Sequence, residues 1–326
     1  MVSKEHEYTL SVHHEDEYEL YYCANPSETP EVSVIISTYN RFRKEGECES
    51  LIKRALNSIL NQTFKNFEII LIDDCSSDET KNYCIEAATE DPRIRFYHFK
   101  KNSGVPAKRY NYGISVSRGK YISFMFDDDQ WELHCLERLY QAIEQQHSHC
   151  AMVYGLATLY SGAVRENFET LGDPWSWNKI HSHNFISNNS VIIKRDVFGL
   201  VGGYDEHPIF YRVCDWDLWW RIGRKFSVAR VEERVAIVYS NLPDSIGLNR
   251  ILDWESCKKR QRSARPLPLQ TNQKEPLRCK IHALLFDTYT DVCLKSRPFF
   301  QSHEYKRLLK KIIPHPLYQF LKTLRK

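Results

Sequence analysis

The sequence predicts an α/β protein built on a doubly wound, mostly parallel sheet, and three observations predict it. Short runs of β-branched and aromatic residues recur over 32–126. Segments with helical apolar spacing separate them, so each alternation reads as a βαβ unit, and successive units wind a parallel sheet. The polar clusters Ser37-Thr38-Tyr39-Asn40, Asp73-Asp74 and Asp127-Asp128-Asp129 fall at the carboxyl ends of the runs. Ligands bind beyond those ends in sheets of this kind.

Residues 32–37 form the first predicted strand, and 48–61 form a helix through the spacing of Leu51, Ala55 and Leu60. Residues 67–72 form the second strand, closed by Asp73-Asp74. Ser77 reads as the N-cap of the next helix, with Glu79 and Thr80 in its first turn. Residues 94–98 are the third strand, 107–117 a helix and 121–125 the fourth strand. Residues 131–256 are less regular and rich in tryptophan. Trp175, Trp177, Trp216, Trp219 and Trp220 suit a core or a platform for sugar rings, with core the expectation for most of them. The stretch 218–222 reads as a helix that Asp217 ties down. Residues 257–280 are basic and carry Pro266, Pro268 and Pro276, the pattern of a linker. Residues 305–313 set apolar and basic residues on opposite helix faces, and Leu317, Phe320, Leu321 and Leu324 resume the pattern after Pro314 and Pro316.

Composition narrows the class. A chain of 326 residues makes one large or two small domains. A net charge of +3 gives no reason to expect a nucleic-acid partner, but the charge is unevenly placed. Residues 1–31 form an acidic arm, and the last twenty or so residues are basic. The ten cysteines include no CxxC and read as reduced thiols in a cytoplasmic protein. The first residues lack an apolar stretch, so no signal peptide is expected, and no apolar run reaches membrane-spanning length. The basic tail has two readings: a helix lying on an anionic membrane surface, or a helix packing its Leu and Ile face on the domain.

The acidic run carries the chemistry. Tyr121-Ile122-Ser123-Phe124-Met125-Phe126 reads as a buried strand that ends in three adjacent carboxylates. Such like charges raise one another's pKa unless a cation shares them. Hard oxygen ligands suit Mg²⁺ or Mn²⁺, which in turn suit a diphosphate. Taken alone, the triplet reads more readily as an exposed acidic turn than as a metal site, and the rest of the chain reverses that order. No GxGxxG follows the first strand, which argues against a dinucleotide oxidoreductase, and Gln130-Trp131 after the triplet argues against an aspartate phosphohydrolase.

With Asn102-Ser103-Gly104, Arg109, Gly202-Gly203-Tyr204-Asp205 and Asp215-Trp216-Asp217 following in order, the chain resembles an inverting family 2 glycosyltransferase of GT-A fold over roughly 32–250. The resemblance implies a nucleotide-sugar-binding half at 32–130, an acceptor half at 131–256, and a linker and basic tail at 257–326. It implies that Ser37, Thr38, Tyr39, Asn40 and Arg41 surround a nucleotide base, that Asp73 accepts the base N–H, and that Arg109 neutralises the pyrophosphate. Asp128 is then the metal-binding aspartate, with Asp127 on ribose or metal and Asp129 beside them. The implied cofactor is Mn²⁺ or Mg²⁺, the donor a UDP-sugar, and the acceptor a glycan or lipid-linked glycan on the cytoplasmic face of a membrane. Asp215 matches the catalytic base, and Asn184, Ser187 and Asn188 fall where the acceptor side is expected. His181, His183 and His207 lack a partnered carboxylate pattern and read as core or surface residues. The chain departs from the family pattern at Phe126, where an acid is usual, and at Cys214, which removes a like charge beside Asp215. Both departures leave open an inactive GT-A-like nucleotide- or glycan-binding component of a polysaccharide-assembly complex.

Overall fold

A computed structural model describes residues 10–14, 17–23, 29–42, 50–161, 168–240 and 253–269 except 264 and 266. The chain divides into two compact units, one of residues 1–252 with 266–274 and one of 253–265 with 275–326. Within the second unit the described part includes a helix, Trp254–Arg262, whose N-cap Asp253 accepts the Ser256 N–H at 3.1 Å. The basic tail at 305–326 lies outside the described residues. Among the described residues no helix is long and apolar enough to cross a membrane.

The first unit is built on one sheet whose centre is parallel. Strands β3 (Val32–Thr38), β4 (Phe67–Asp73), β5 (Ile94–Phe99) and β6 (Tyr121–Phe126) lie in the order β5-β4-β3-β6, as the alternation of strand and helix predicts. Helices α1 (Leu51–Leu60), α2 (Thr80–Glu90) and α3 (Pro106–Val116) make the crossovers. Strand residues of alternate parity face opposite sides. Val34, Ile36, Ile69 and Leu71 pack with Ile52, Leu56, Cys84 and Ala88 from α1 and α2. On the other face Gly113 of α3 sits so close to Ile35 and Ile72 that an added Cβ would come within 2.5 Å of Ile35.

The flanks are antiparallel except for the parallel pairing of β8 with β11. Strands β1 (Leu10–His14) and β2 (Tyr18–Cys23) form a hairpin that joins the sheet through β2 against β5. The acidic arm expected to stand outside the fold therefore supplies its edge, with the Tyr18 ring among Tyr97, Phe99 and Tyr112. Beyond β6 come β10 (Val191–Lys194), β8 (Cys150–Ser161), β11 (Ser227–Ser240) and the two-residue β7 (Gln130–Trp131), while β9 (Phe168–Leu171) pairs with β8. Helix α4 (Cys135–Glu144) adds Leu136, Leu139 and Ile143 to the α1/α2 side of the core. Three further helices, α5 (Trp177–Ser182), α6 (Phe198–Val201) and α7 (Cys214–Lys225), belong to the second half.

Candidate active site

The carboxyl ends of β3 and β4 are bound to each other by their own polar residues. Asn40 takes a positive φ of 52°, and its Oδ1 accepts the Ser77 N–H at 2.8 Å. The Asn40 N–H reaches Ser76 Oγ at 2.9 Å, and Thr80 Oγ1 accepts the N–H groups of both Arg41 and Phe42 at 3.0 Å. Ser77 thus serves as a donor to Asn40 and does not cap α2. Asp78 Oδ1 instead accepts the Thr80 N–H, at 3.0 Å. These contacts leave the Tyr39 ring 46% exposed beside the strand ends, available for stacking.

Two of the expected site residues already have protein partners. Asp73, expected to accept a base N–H, is fully buried, because as the last residue of β4 it points into the protein. Its oxygens accept from Ser76 N and Oγ, and Oδ2 lies 2.7 Å from His98 Nδ1. Arg109, expected to meet a pyrophosphate, is committed elsewhere. Its Nε donates to Asp74 at 2.5 Å, its Nη2 donates to the Lys101 carbonyl at 2.7 Å, and its guanidinium lies 3.5 Å over the Phe99 ring. Asp74 also accepts the N–H and Oγ–H of Ser103, so this pair fixes the 101–105 turn ahead of α3.

Arg41 is the cation that faces the acidic run. Its Nε lies 3.2 Å from Asp127 Oδ1 and its Nη2 3.9 Å from Asp128 Oδ2. Arg54, which the sequence reading passed over, donates from Nη2 to the Asp128 carbonyl and lies 4.1 Å over the Tyr239 ring. Burial pushes the Asp127 and Asp128 carboxyls up, with Arg41 opposing the shift. Asp129 has a separate role: it accepts from Asn189 Nδ2 and, at 2.9 Å, from the Tyr239 N–H. It is a buried peg joining the end of β6 to Asn189 and Tyr239 of the second half. Asp127 and Asp128 together fit a divalent cation: two adjacent hard-oxygen donors, the first buried and the second part-buried, whose carboxyls burial raises. Among the described residues no group of three or more His, Cys, Asp or Glu side chains forms a metal cage.

Asp215 opens α7 and is buried. Its Oδ1 accepts the Trp216 N–H at 2.8 Å and its Oδ2 accepts from Asn184 Nδ2 at 2.9 Å. Burial nevertheless raises its carboxyl to about 6, against the pull of those two donors. Asp217, two residues from it in the sequence, pairs with Arg221 at 2.8 Å, and Arg221 ties α7 to the carbonyls of Val201 and Gly203. Cys214 is a buried thiol whose pKa burial also raises.

One short segment connects the two acidic centres. Asn184 holds Asp215, while Asn189 accepts the Phe126 N–H at 2.7 Å, donates to Asp129, and receives the Trp131 indole N–H on its carbonyl at 2.6 Å. Six residues span at most ~20 Å, so the carboxyl end of β6 and the start of α7 share one neighbourhood. Within the segment Asn188 accepts the Tyr204 hydroxyl at 2.7 Å. Sequence reasoning named Asn184 and Asn188 and missed Asn189; a polar pair directly before the apolar run of β10 was the available signal. A cavity of about 720 Å³ lies elsewhere, toward the amino ends of β3 and β6, lined by Glu31, Arg118, Lys120 and Lys194 among others.

Comparisons with known proteins agree with this geometry. Glycosyltransferase GlyG of Streptococcus pneumoniae is 36% identical over 115 residues, 35% of this chain and 36% of its own length. The GalNAc(5)-diNAcBac-PP-undecaprenol beta-1,3-glucosyltransferase of Campylobacter jejuni is 33% identical over 120 residues, 37% of each protein. The chain therefore aligns with little more than a third of either relative. The crystal structure of S. aureus TarS 1–349 in complex with UDP-GlcNAc shares the fold, with a TM-score of 0.53 at 17% identity over 68% of this chain and 62% of that one. The model of the family described as Glycosyl transferase family 2 matches residues 33–196, half of the chain. A parallel central sheet, an acidic strand end and a matching family model together make this chain a member of glycosyl transferase family 2, with a GT-A fold.

Proposed function

We propose that the protein transfers a sugar, with inversion, from a nucleotide-diphosphate sugar to a hydroxyl of a glycan or lipid-linked glycan. The observation that carries this reading is the segment 184–189, which touches both Asp215 and the end of β6. A UDP-sugar donor is favoured because relatives of this fold include one solved with UDP-GlcNAc.

In this reading Tyr39 stacks on the base, and Ser37, Thr38 and Asn40 line the loop around it. Asp127 and Asp128 hold Mn²⁺ or Mg²⁺. When bound, the cation offsets charge developing on the departing diphosphate. Arg41 adds a fixed positive charge beside the same two carboxylates. Asp215 accepts the proton of the acceptor hydroxyl as that oxygen attacks the anomeric carbon, and the bond from that carbon to the diphosphate oxygen breaks on the opposite side. Its raised pKa suits the task, since a base with a carboxyl near 6 is ionised at neutral pH and holds a proton better than an ordinary carboxylate. Asn184 orients it. Association of the basic tail with an anionic membrane surface would place the protein where lipid-linked acceptors lie, peripheral on the cytoplasmic face.

Two variants test the assignment. Asp215→Asn should lower turnover by about 10²–10⁴-fold and leave calorimetric binding of UDP with Mn²⁺ unchanged. Asp128→Ala should abolish the metal-dependent part of UDP binding. Full turnover in Asp215→Asn, or intact metal-dependent binding in Asp128→Ala, removes the corresponding role.

A further inference from the structure

Trp177 is exposed next to the elements that hold Asp215, and the protein keeps its ring in a fixed pose. It is the first residue of α5 and is 38% exposed, whereas Trp216 and Trp219 of α7 are fully buried. Its ring stacks on Trp220, with centroids 5.9 Å apart and planes at 27°. The His181 ring meets it edge-on at 4.5 Å. An indole N–H only donates, so the 3.0 Å contact from Trp220 Nε1 makes His181 Nε2 the acceptor. His181 Nδ1 then carries the hydrogen and donates to the Trp177 carbonyl at 3.2 Å, so this histidine is the neutral Nδ1–H tautomer.

The platform is tied to the base from two sides. Trp216, next to Asp215, donates its indole N–H to the Ile180 carbonyl of α5 at 2.6 Å. Asn184, two residues past α5, donates to Asp215. Beneath the platform, Gly223 lets Trp175 close on α7, where a Cβ would come within 2.3 Å of the Trp175 ring. An ordered indole left 38% exposed near a buried carboxylate is preorganised to receive an apolar surface, and the C–H face of a sugar ring is one.

We propose that Trp177, backed by Trp220 and His181, is a stacking subsite for the acceptor glycan, engaging a ring other than the one that bears the attacked hydroxyl. Trp220 lies five residues past Asp215 on α7, about 7.5 Å of helix rise from the base. The acceptor class is therefore an oligosaccharide of at least two units. This inference rests on the glycosyl-transfer reading above.

The test uses the full chain and a panel of probes: glucose, galactose and N-acetylglucosamine, each with its β1,4-linked di- and trisaccharide. Saturation-transfer NMR and calorimetry read the binding, with UDP and Mn²⁺ present. At least one di- or trisaccharide should bind the wild type more tightly than its monosaccharide and lose at least about tenfold in affinity in Trp177→Ala. Trp177→Phe should keep most of the affinity. UDP binding should stay unchanged in both variants, and circular dichroism should confirm their folding. Equal affinity of wild type and Trp177→Ala for every sugar, or no sugar bound by the wild type, overturns the proposal. Loss of UDP binding in the wild type with sugar binding intact would instead overturn the nucleotide-sugar reading and leave the subsite standing.

Discussion

In the proposed reaction Asp215 couples activity to pH and to stability in opposite senses. Its carboxyl is raised from an unfolded value of about 4 to about 6 in the fold. Between these values the folded state binds more protons than the unfolded one, so stability declines as pH rises through the window. The cost is absent below pH ~4 and fully present above pH ~6. The transfer rate should rise across the same window as the base ionises, with an acid limb near pH ~6. Asp215→Asn should therefore raise the thermal midpoint above pH ~7 by the equivalent of about 1–3 kcal/mol and bring no gain below pH ~4. A midpoint shift of the same size at both pH values would show that burial of this charge is not its source. At this scale the residue types of the site were legible and their directions were not. Asp73 and Asp74 are neighbours in the sequence, yet strand pleating turns the first inward onto Ser76 and His98 and leaves the second to Ser103 and Arg109. Nothing in a pair of aspartates says which of them faces in.

The elements of the parallel centre were legible because buried strands and their crossover helices have strong periodicities. The strands β3, β4, β5 and β6 extend one residue beyond their sequence-read carboxyl ends. The second half was harder to read. β7 has two residues and β10 four, too short to show a period, and β8 with β11 forms one long parallel ladder with register shifts. Packing between elements gives a sharper test than their boundaries do. Gly113→Ala puts a Cβ against Ile35 where α3 meets β3, and should destabilise by about 1–3 kcal/mol in chemical denaturation. Ile35→Ala alone leaves a cavity, whereas the two changes together should cost less than their sum by about 1 kcal/mol. Strict additivity would place the strain elsewhere.

On the scale of the whole molecule, the sheet ends at an acidic hairpin that composition alone assigned to a free arm. β2 covers the β5 edge, and Glu19 reaches Lys81 of α2 at 2.9 Å, which lowers the Glu19 carboxyl to about 2. The two strands of the hairpin have only five and six residues and flank an acidic run, so they show too little period to be read from the sequence. Removing residues 1–23 should uncover β5 and the rings of Tyr97, Phe99 and Tyr112. Light scattering should then report concentration-dependent association, and a truncated chain that stays monodisperse would argue that β5 needs no cover.

Asn189 has a consequence for anyone recombining this scaffold. A single amide side chain fastens the Phe126 N–H and the Asp129 carboxylate, while its backbone carbonyl takes the Trp131 indole. A crossover placed between residues 131 and 189 would separate partners that must fit one another to a few tenths of an ångström. The segments on either side of this tie are therefore not freely interchangeable modules: a graft that brings in a foreign 131–256 segment has to bring a matching asparagine with it.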